Sequence, residues 1–267
     1  MTAKDKDEVL AVVNGFLESF SGTKPPFPDT LKYLVPGALA VLSRPDGLVQ
    51  CTLAGLVDRL EELISKIHQS GGASVSEVLA HPGPDIWVHD RLAAVWSGFS
   101  VNVDGRTKSS GVCAFTLVKL DDGWKIAAIA DTHFRDDEAP PVLVEEASPE
   151  LVGPILESMR LLNEKKWDEM MRPRLAGGGA TIARSPRSLT TMLWPELDEK
   201  MRSMSERAPG YVEHKVVGSE GRMMGDLGFV WSQFTVTLNG ELRITGYTAD
   251  TLLKRDGKWL LSGEVDG

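Results

Sequence analysis

The chain has 267 residues, room for one large domain or two of ordinary size. With 42% hydrophobic and 25% charged residues it has the composition of a folded globular protein, which excludes disorder, collagen and coiled coil. Its net charge of −9 (29 basic against 38 acidic side chains) repels phosphate backbones and anionic lipid, so neither nucleic acid nor a membrane is an expected partner. No apolar run approaches the roughly 20 residues that span a bilayer. Met1–Val9 carries both signs of charge instead of leading into a secretory apolar segment. The two cysteines, Cys51 and Cys113, form neither a disulfide framework nor a zinc site, so a reducing, cytoplasmic setting is the default expectation.

In chain order, apolar spacing predicts a helix over Asp5–Phe20, a short second helix near Leu31–Leu34 and a short strand at Ala40–Ser43. A long helix follows over Leu53–Gln69, where Leu53, Leu56, Val57, Leu60, Leu63, Ile64 and Ile67 recur at helical spacing. Val75–Ala80, Ile86–Val103, Lys108–Leu120 and Trp124–Ala130 read as strands, with turns at Asp104-Gly105 and Asp121-Asp122-Gly123. Residues 135–147 hold five acids, one base and two prolines, the composition of a linker between domains at 1–134 and 148–267. Ser148-Pro149-Glu150 then supplies a cap, a first-turn proline and an acid to open a helix over Pro149–Asn163. The earlier order returns after it: a helical turn at Trp167–Met171, a strand at Ala180–Ala183, a helix over Leu189–Arg207, then strands alone. Asn239-Gly240 and Asp256-Gly257 mark hairpin turns in this second half.

The chain is thus written twice. At an offset of 135, Leu92–Asp131 falls on Leu227–Asp266 without a gap, and 15 of 40 positions are identical, including Trp96/Trp231, Trp124/Trp259 and Asp131/Asp266. Upstream the offset becomes 140, pairing Ala40/Ala180, Arg44/Arg184, Leu53/Leu193 and Asp58/Asp198. The difference puts about five extra residues in the first copy, expected in Ser70–Ser74. So long a period means two complete domains, each an α+β unit in which helices cover one face of an antiparallel sheet.

The stretch DRLAAVWSGFSVNVDG…SSGVCAFTLVKLDDGWKIAAIADT, Asp90–Thr132, resembles the nuclear transport factor 2-like superfamily. Within it, the likeness is to the branch of SnoaL-like polyketide cyclases and lumazine-binding-like proteins. The second copy carries the resemblance at reduced strength. It implies cystatin-like cones, each with about three helices on a curved sheet around a blind, mostly apolar cavity. It also implies that no cofactor is needed, and that the two domains pair within the chain as a pseudo-dimer. Relatives such as ketosteroid isomerase and scytalone dehydratase place one or two acid–base groups in the cavity, while others only bind or associate. Where the branch reads His-Cys-Gly-Val-Asp, this chain has Ser109-Ser110-Gly111-Val112-Cys113 and Ile244-Thr245-Gly246-Tyr247-Thr248. The branch's titrating pair is absent from both copies, and its chemistry is not carried over.

Residues shared by both copies are read as serving the fold, and residues unique to one copy as candidates for a task. Asp250 stands where the first copy has Phe115, and Glu264 where it has Ile129. Burial would raise either carboxyl toward neutrality and make it a general acid or base. With a plain two-residue turn at Asp256-Gly257 the two acids point to opposite faces; a one-residue bulge reverses this. A solvent-facing position for one or both is the alternative. His214 aligns with Leu79, and His81 with Val216, so both fall on an apolar-patterned face as possible cavity groups. Cys113, Phe115, Trp194 and Thr248, with His81, are expected to line the pocket, Cys113 as a small core residue and not a nucleophile. His89 and His133 read as surface, and no zinc spacing occurs. The reading is a cofactor-independent isomerase, cyclase or dehydratase acting on a small hydrophobic molecule, with His214, Asp250 and Glu264 as its acid–base set. The rival is a non-catalytic binding or association module.

Overall fold

The hairpins set the architecture. At Asp104-Gly105, Asn239-Gly240 and Asp256-Gly257 both central residues take positive φ, 51° and 74°, 52° and 80°, and 50° and 75°. Such turns match the right-handed twist of the strands they join. The computed structural model describes residues 3–22, 24–44, 47–71, 74–134, 139–207 and 210–267. The chain divides into two compact units, Met1–Val142 and Leu143–Gly267.

In the first unit, α1 (Ala3–Phe20) and a helical turn (Thr30–Tyr33) precede β1 (Leu34–Arg44) and β2 (Gly47–Thr52). Then come α2 (Leu53–Gln69), β3 (Val75–His89), β4 (Leu92–Val103), β5 (Arg106–Leu120) and β6 (Gly123–His133). The second unit repeats this with α3 (Pro149–Asn163), a turn at Trp167–Glu169, β7 (Arg174–Ser185), β8 (Ser188–Leu193) and α4 (Trp194–Arg207). It ends with β9 (Val212–Met224), β10 (Leu227–Leu238), β11 (Glu241–Arg255) and β12 (Lys258–Asp266). Each unit is an α+β domain on a six-stranded sheet, ordered β2-β1-β6-β5-β4-β3 and β8-β7-β12-β11-β10-β9. Neighbours run antiparallel except β1 with β6 and β7 with β12, which are parallel.

Four expected boundaries change. The short strands at Ala40 and Ala180 are the ends of 11- and 12-residue strands, and each turns back into a partner, β2 or β8. The helix expected from Leu189 begins at Trp194, because Ser188–Leu193 pairs along β7, with Leu193 opposite Gly179. The run Leu189-Thr190-Thr191-Met192 sets its two apolar residues three apart, a helical spacing, although the segment pairs as a strand. The long strand expected from Ile86 is cut at Asp90, whose φ of 47° makes the turn between β3 and β4. Gly72 and Ala73, in the segment expected to hold the five extra residues, lie outside the described residues. Among described elements, α2 has 17 residues against 14 in α4, and β3 15 against 13 in β9.

The helices bury their apolar stripes on one face of each sheet. Val9, Val13, Phe16 and Leu17 of α1 and Leu53, Leu56, Val57 and Ile64 of α2 are buried. In the second domain Leu151, Val152 and Ile155 of α3 and Trp194 and Leu197 of α4 pack with Ala180, Val230, Leu252 and Leu261 of the sheet. Each such side chain contributes about 1.5–3 kcal/mol of burial. Among the described residues no helix is long and apolar enough to cross a membrane.

Candidate functional site

The register of β11 and β12 decides where the acids of the second domain point. The strands leave the Asp256-Gly257 turn in step, Arg255 opposite Lys258, and stay so to Leu252 opposite Leu261. Thr251 then faces Gly263, which leaves Ser262 as the extra residue of a bulge. Its hydroxyl donates to the Thr251 carbonyl at 3.0 Å. The extra residue reverses parity, so Asp250 faces Glu264 directly and Thr248 faces Asp266. The plain-turn expectation of opposite faces is thereby corrected. This is the helix-facing side: Val230, opposite Asp250, and Ala180, opposite Glu264, both belong to the apolar cluster under α3 and α4.

Asp250 is 1% exposed and accepts a hydrogen bond from the Thr248 hydroxyl at 2.9 Å. Burial first, then the Glu264 charge, push its carboxyl well above the ordinary range. Glu264 is pushed up to about 7 by burial and then by Asp266, against the pull of Arg174 and Arg184. Unlike Asp250, it keeps part of its surface open to solvent.

Two arginines bound this acid face. Arg174 is 5% exposed in its side chain, pairs with Asp198 at 2.5 Å and lies 4.6 Å over the Trp194 ring. Arg184 reaches Asp266 at 2.7 Å and is 53% exposed. In the first domain apolar residues replace most of this set. Leu34 faces Ile126 where Arg174 faces Leu261, α2 begins with Leu53 where α4 begins with Trp194, and Phe115 and Ile129 face each other in place of the two acids.

His214 lies on β9 opposite Val236, half-buried and held by the Asn163 amide at the end of α3. Its backbone N–H donates to Asn163 Oδ1 and its carbonyl accepts from Asn163 Nδ2, both at 2.8 Å. Burial, then Arg184, holds the imidazole below its usual range.

The alignment of His214 with Leu79 does not survive in space. In β3 the pairing jumps from Ala80 opposite Gly98 to Asp85 opposite Trp96, whereas β9 has only one extra residue, Val217. That difference of two places Glu77, opposite Val101, where the second domain has His214, opposite Val236. His81 sits inside the irregular stretch, solvent-exposed, and not on the apolar face where it was expected. Of the other expected lining residues, Cys113 is buried opposite Asp131, with its thiol 3.4 Å from the Ser97 carbonyl. Burial, then Glu77, pushes that thiol well above its ordinary value. Phe115 packs edge-on against Phe16 at 6.3 Å, and Trp194 is fully buried.

The first domain holds a second, different group. Arg44 forks onto Asp131, with Nη2 to Oδ2 at 2.9 Å. Burial raises the Asp131 carboxyl, and Arg44 opposes it. The second domain repeats the arrangement: Leu42 faces Asp131, Ile182 faces Asp266, and each arginine follows two residues on. His133, expected at the surface, is half-buried against the Phe99 ring at 5.0 Å, with Nδ1 2.9 Å from the Ser109 hydroxyl. Burial and then Arg44 hold its imidazole down to about 4. Glu77 is pushed up to about 7 by burial and the Asp131 charge, with Arg44 pulling it down. Two strands, β4 and β5, lie between Glu77 on β3 and Asp131 on β6, and the pairings set both side chains on one face.

Reading shared residues as structural therefore missed the two Arg–Asp pairs, although the matches Arg44/Arg184 and Asp131/Asp266 carried the signal. Glu77 stood in a segment that only its own bulge aligns. Among the described residues no group of three or more His, Cys, Asp and Glu side chains is placed to hold a metal ion.

No protein-family model and no curated protein matches the chain. Solved structures do. An NTF2-like protein of unknown function from Shewanella baltica is 12% identical, with a TM-score of 0.38, over 51% of this chain and 98% of its own. A nuclear transport factor 2-like superfamily protein from Salmonella enterica is 17% identical, with a TM-score of 0.40, over 52% and 97%. A cystatin-like protein of unknown function from Nostoc punctiforme is 15% identical, with a TM-score of 0.37, over 51% and 96%. The likeness is one of fold. Each of these three chains, nearly whole, aligns with about half of this one.

Proposed function

We propose that the second domain is a cofactor-independent acid–base site that takes up a small, mostly apolar molecule and moves a proton on it. Isomerisation, cyclisation and dehydration of a polyketide- or terpenoid-like carbonyl compound all fit that description. The reading rests on one observation: the bulge at Ser262 sets Asp250 and Glu264 opposite each other beneath the helices. Glu264, the accessible member, is poised near neutrality to accept a proton from carbon. Asp250 faces it with a carboxyl that burial and the Glu264 charge hold well above the ordinary range, and the protons belong to the pair more than to either residue. His214 stands apart from the pair, opposite Val236, six residues along β10 from the Val230 that Asp250 faces, with Nδ1 3.4 Å from Asn163 Oδ1, so that its neutral ring presents Nε2 as an acceptor at the far end of the same face.

The complete burial of Asp250 favours a second reading, in which the pair only shapes a binding pocket. Proton exchange separates the two. A panel of small cyclic 1,3-diketones and enones is incubated with the protein in deuterated water, and loss of the C–H signals is followed by NMR. At least one member should exchange faster than in buffer, and Glu264→Gln should lower the catalysed rate by about 100-fold or more. Equal rates in wild type and variant, or no acceleration anywhere in the panel, would overturn the catalytic reading.

A further inference from the structure

We propose that the first domain holds a separate binding site for a small organic cation, a primary ammonium group on an aromatic or branched apolar body, with Glu77 as its partner. The position is the spatial counterpart of His214, so the two domains present opposite chemistry at the same place on one scaffold: an acid in the first, an imidazole in the second.

The other polar groups on that face are engaged within the protein. Arg44 is committed to Asp131 through a two-point fork. His133 Nδ1 meets the Ser109 hydroxyl. The Ser97 hydroxyl donates to the Ala80 and Gly98 carbonyls, and the Cys113 thiol to the Ser97 carbonyl. Among the described residues the Glu77 carboxylate has neither a hydrogen-bond donor nor a cation within bonding distance, yet part of its surface is open to solvent. The face therefore carries two carboxylates against one guanidinium, with His133 neutral. What it lacks is a donor bearing positive charge.

The walls suit an apolar body. On the same face Glu77 stands opposite Val101, and Leu79 opposite Phe99, one alternation along the strand. An ammonium at Glu77 thus places its substituent beside the part-open Leu79, which the buried Phe99 ring backs from the next strand. The protein's net charge of −9 draws cations toward it.

The test uses the full-length protein and two probes that share one body, 2-phenylethylamine and 2-phenylethanol. Titrations are followed by calorimetry and by amide chemical shifts at about pH 8, where the amine is charged and the carboxyl ionised. The amine should bind saturably, shift the amides of β3 and β4 around Glu77 and Phe99, and bind about tenfold or more tightly than the alcohol. Glu77→Gln should lower the amine to the alcohol's affinity, and Glu264→Gln should leave it unchanged. Equal affinity for the two probes, shifts confined to β11 and β12, or no saturable binding of the amine would overturn the proposal. The wild-type comparison of probes decides the matter even where a variant folds poorly. None of these readouts depends on proton transfer in the second domain.

Discussion

Replacing Glu264 by Gln should make the second domain more stable at neutral pH, and the size of the gain follows from the site. In the folded protein the carboxyl titrates at about 7, against an ordinary 4.5. Below pH 4.5 it is protonated in both folded and unfolded chains, so its burial carries no charge. Between 4.5 and 7 the unfolded chain has released a proton that the folded chain retains, and stability falls as pH rises. Above 7 the loss is complete. At about 1.4 kcal/mol per unit of displacement, the change is about 3 kcal/mol. An amide has no charge to bury, so Glu264→Gln should lack this slope and lead the wild type by up to about 3 kcal/mol at pH 8. The other shifted groups are common to both proteins and largely cancel in the difference, save Asp250, whose carboxyl the variant also relieves of a like charge. Two domains can unfold separately, so the assay is hydrogen exchange of the β11 and β12 amides in urea at several pH values. A variant that tracks the wild type from pH 5 to pH 8 would refute the reasoning, as would a lead that shrinks as pH rises.

Three further outcomes follow from the packing and the ion pairs. Gly111→Ala would set a methyl carbon 2.0 Å from the Thr132 carbonyl and should cost more than about 3 kcal/mol, whereas Gly37→Ala, at an exposed position of β1 where a methyl meets nothing within 4 Å, should change stability by no more than about 0.5 kcal/mol, a contrast that thermal unfolding reads directly. Arg44→Met strands Asp131 and Arg184→Met strands Asp266, carboxylates whose side chains are 13% and 10% exposed, so each should cost about 3 kcal/mol; a loss below about 1 kcal/mol for either on urea titration would contradict this. The His133 imidazole should stay neutral through pH 5 and gain its proton near 4 by nitrogen-detected NMR, and since the unfolded chain protonates first, at about 6.5, this group should withdraw stability as pH falls from 6.5 to 4; a ring titrating at 6.5 would show it lies in water.

Much of the fold was written plainly in the residues. The 135-residue offset is the spacing of β4 and β5 from β10 and β11, and the Asp-Gly and Asn-Gly pairs sit at the turns they announce. Edge strands were harder. Ser188–Leu193 pairs on one side only, so a brief run of Leu, Thr and Met carries little signal against the helix that follows. The candidate site was legible as residue types: Asp250 and Glu264 stand out because their counterparts Phe115 and Ile129 are apolar. Whether they met was not legible, since that depends on a single residue, Ser262, which the β11–β12 hairpin leaves unpaired although nothing in its residue type marks it. The same physics hid Glu77. A strand's inward set changes with every inserted residue, and β3 and β9 carry unequal insertions, so linear alignment compares positions that face different neighbours.

The parallel pairing of β1 with β6 and of β7 with β12 joins each domain's first long strand to its last. Arg44 and Asp131, clamped across that seam, are 87 residues apart. A closure over so long a loop comes late in folding, after the local hairpins have zipped. If the seam closes after the rate-limiting barrier, the desolvation of Asp131 and Asp266, which face it, falls on the native side of that barrier. Alkali should then act on lifetime more than on assembly: raising the pH would hasten the opening of each seam while leaving the rate of collapse nearly untouched.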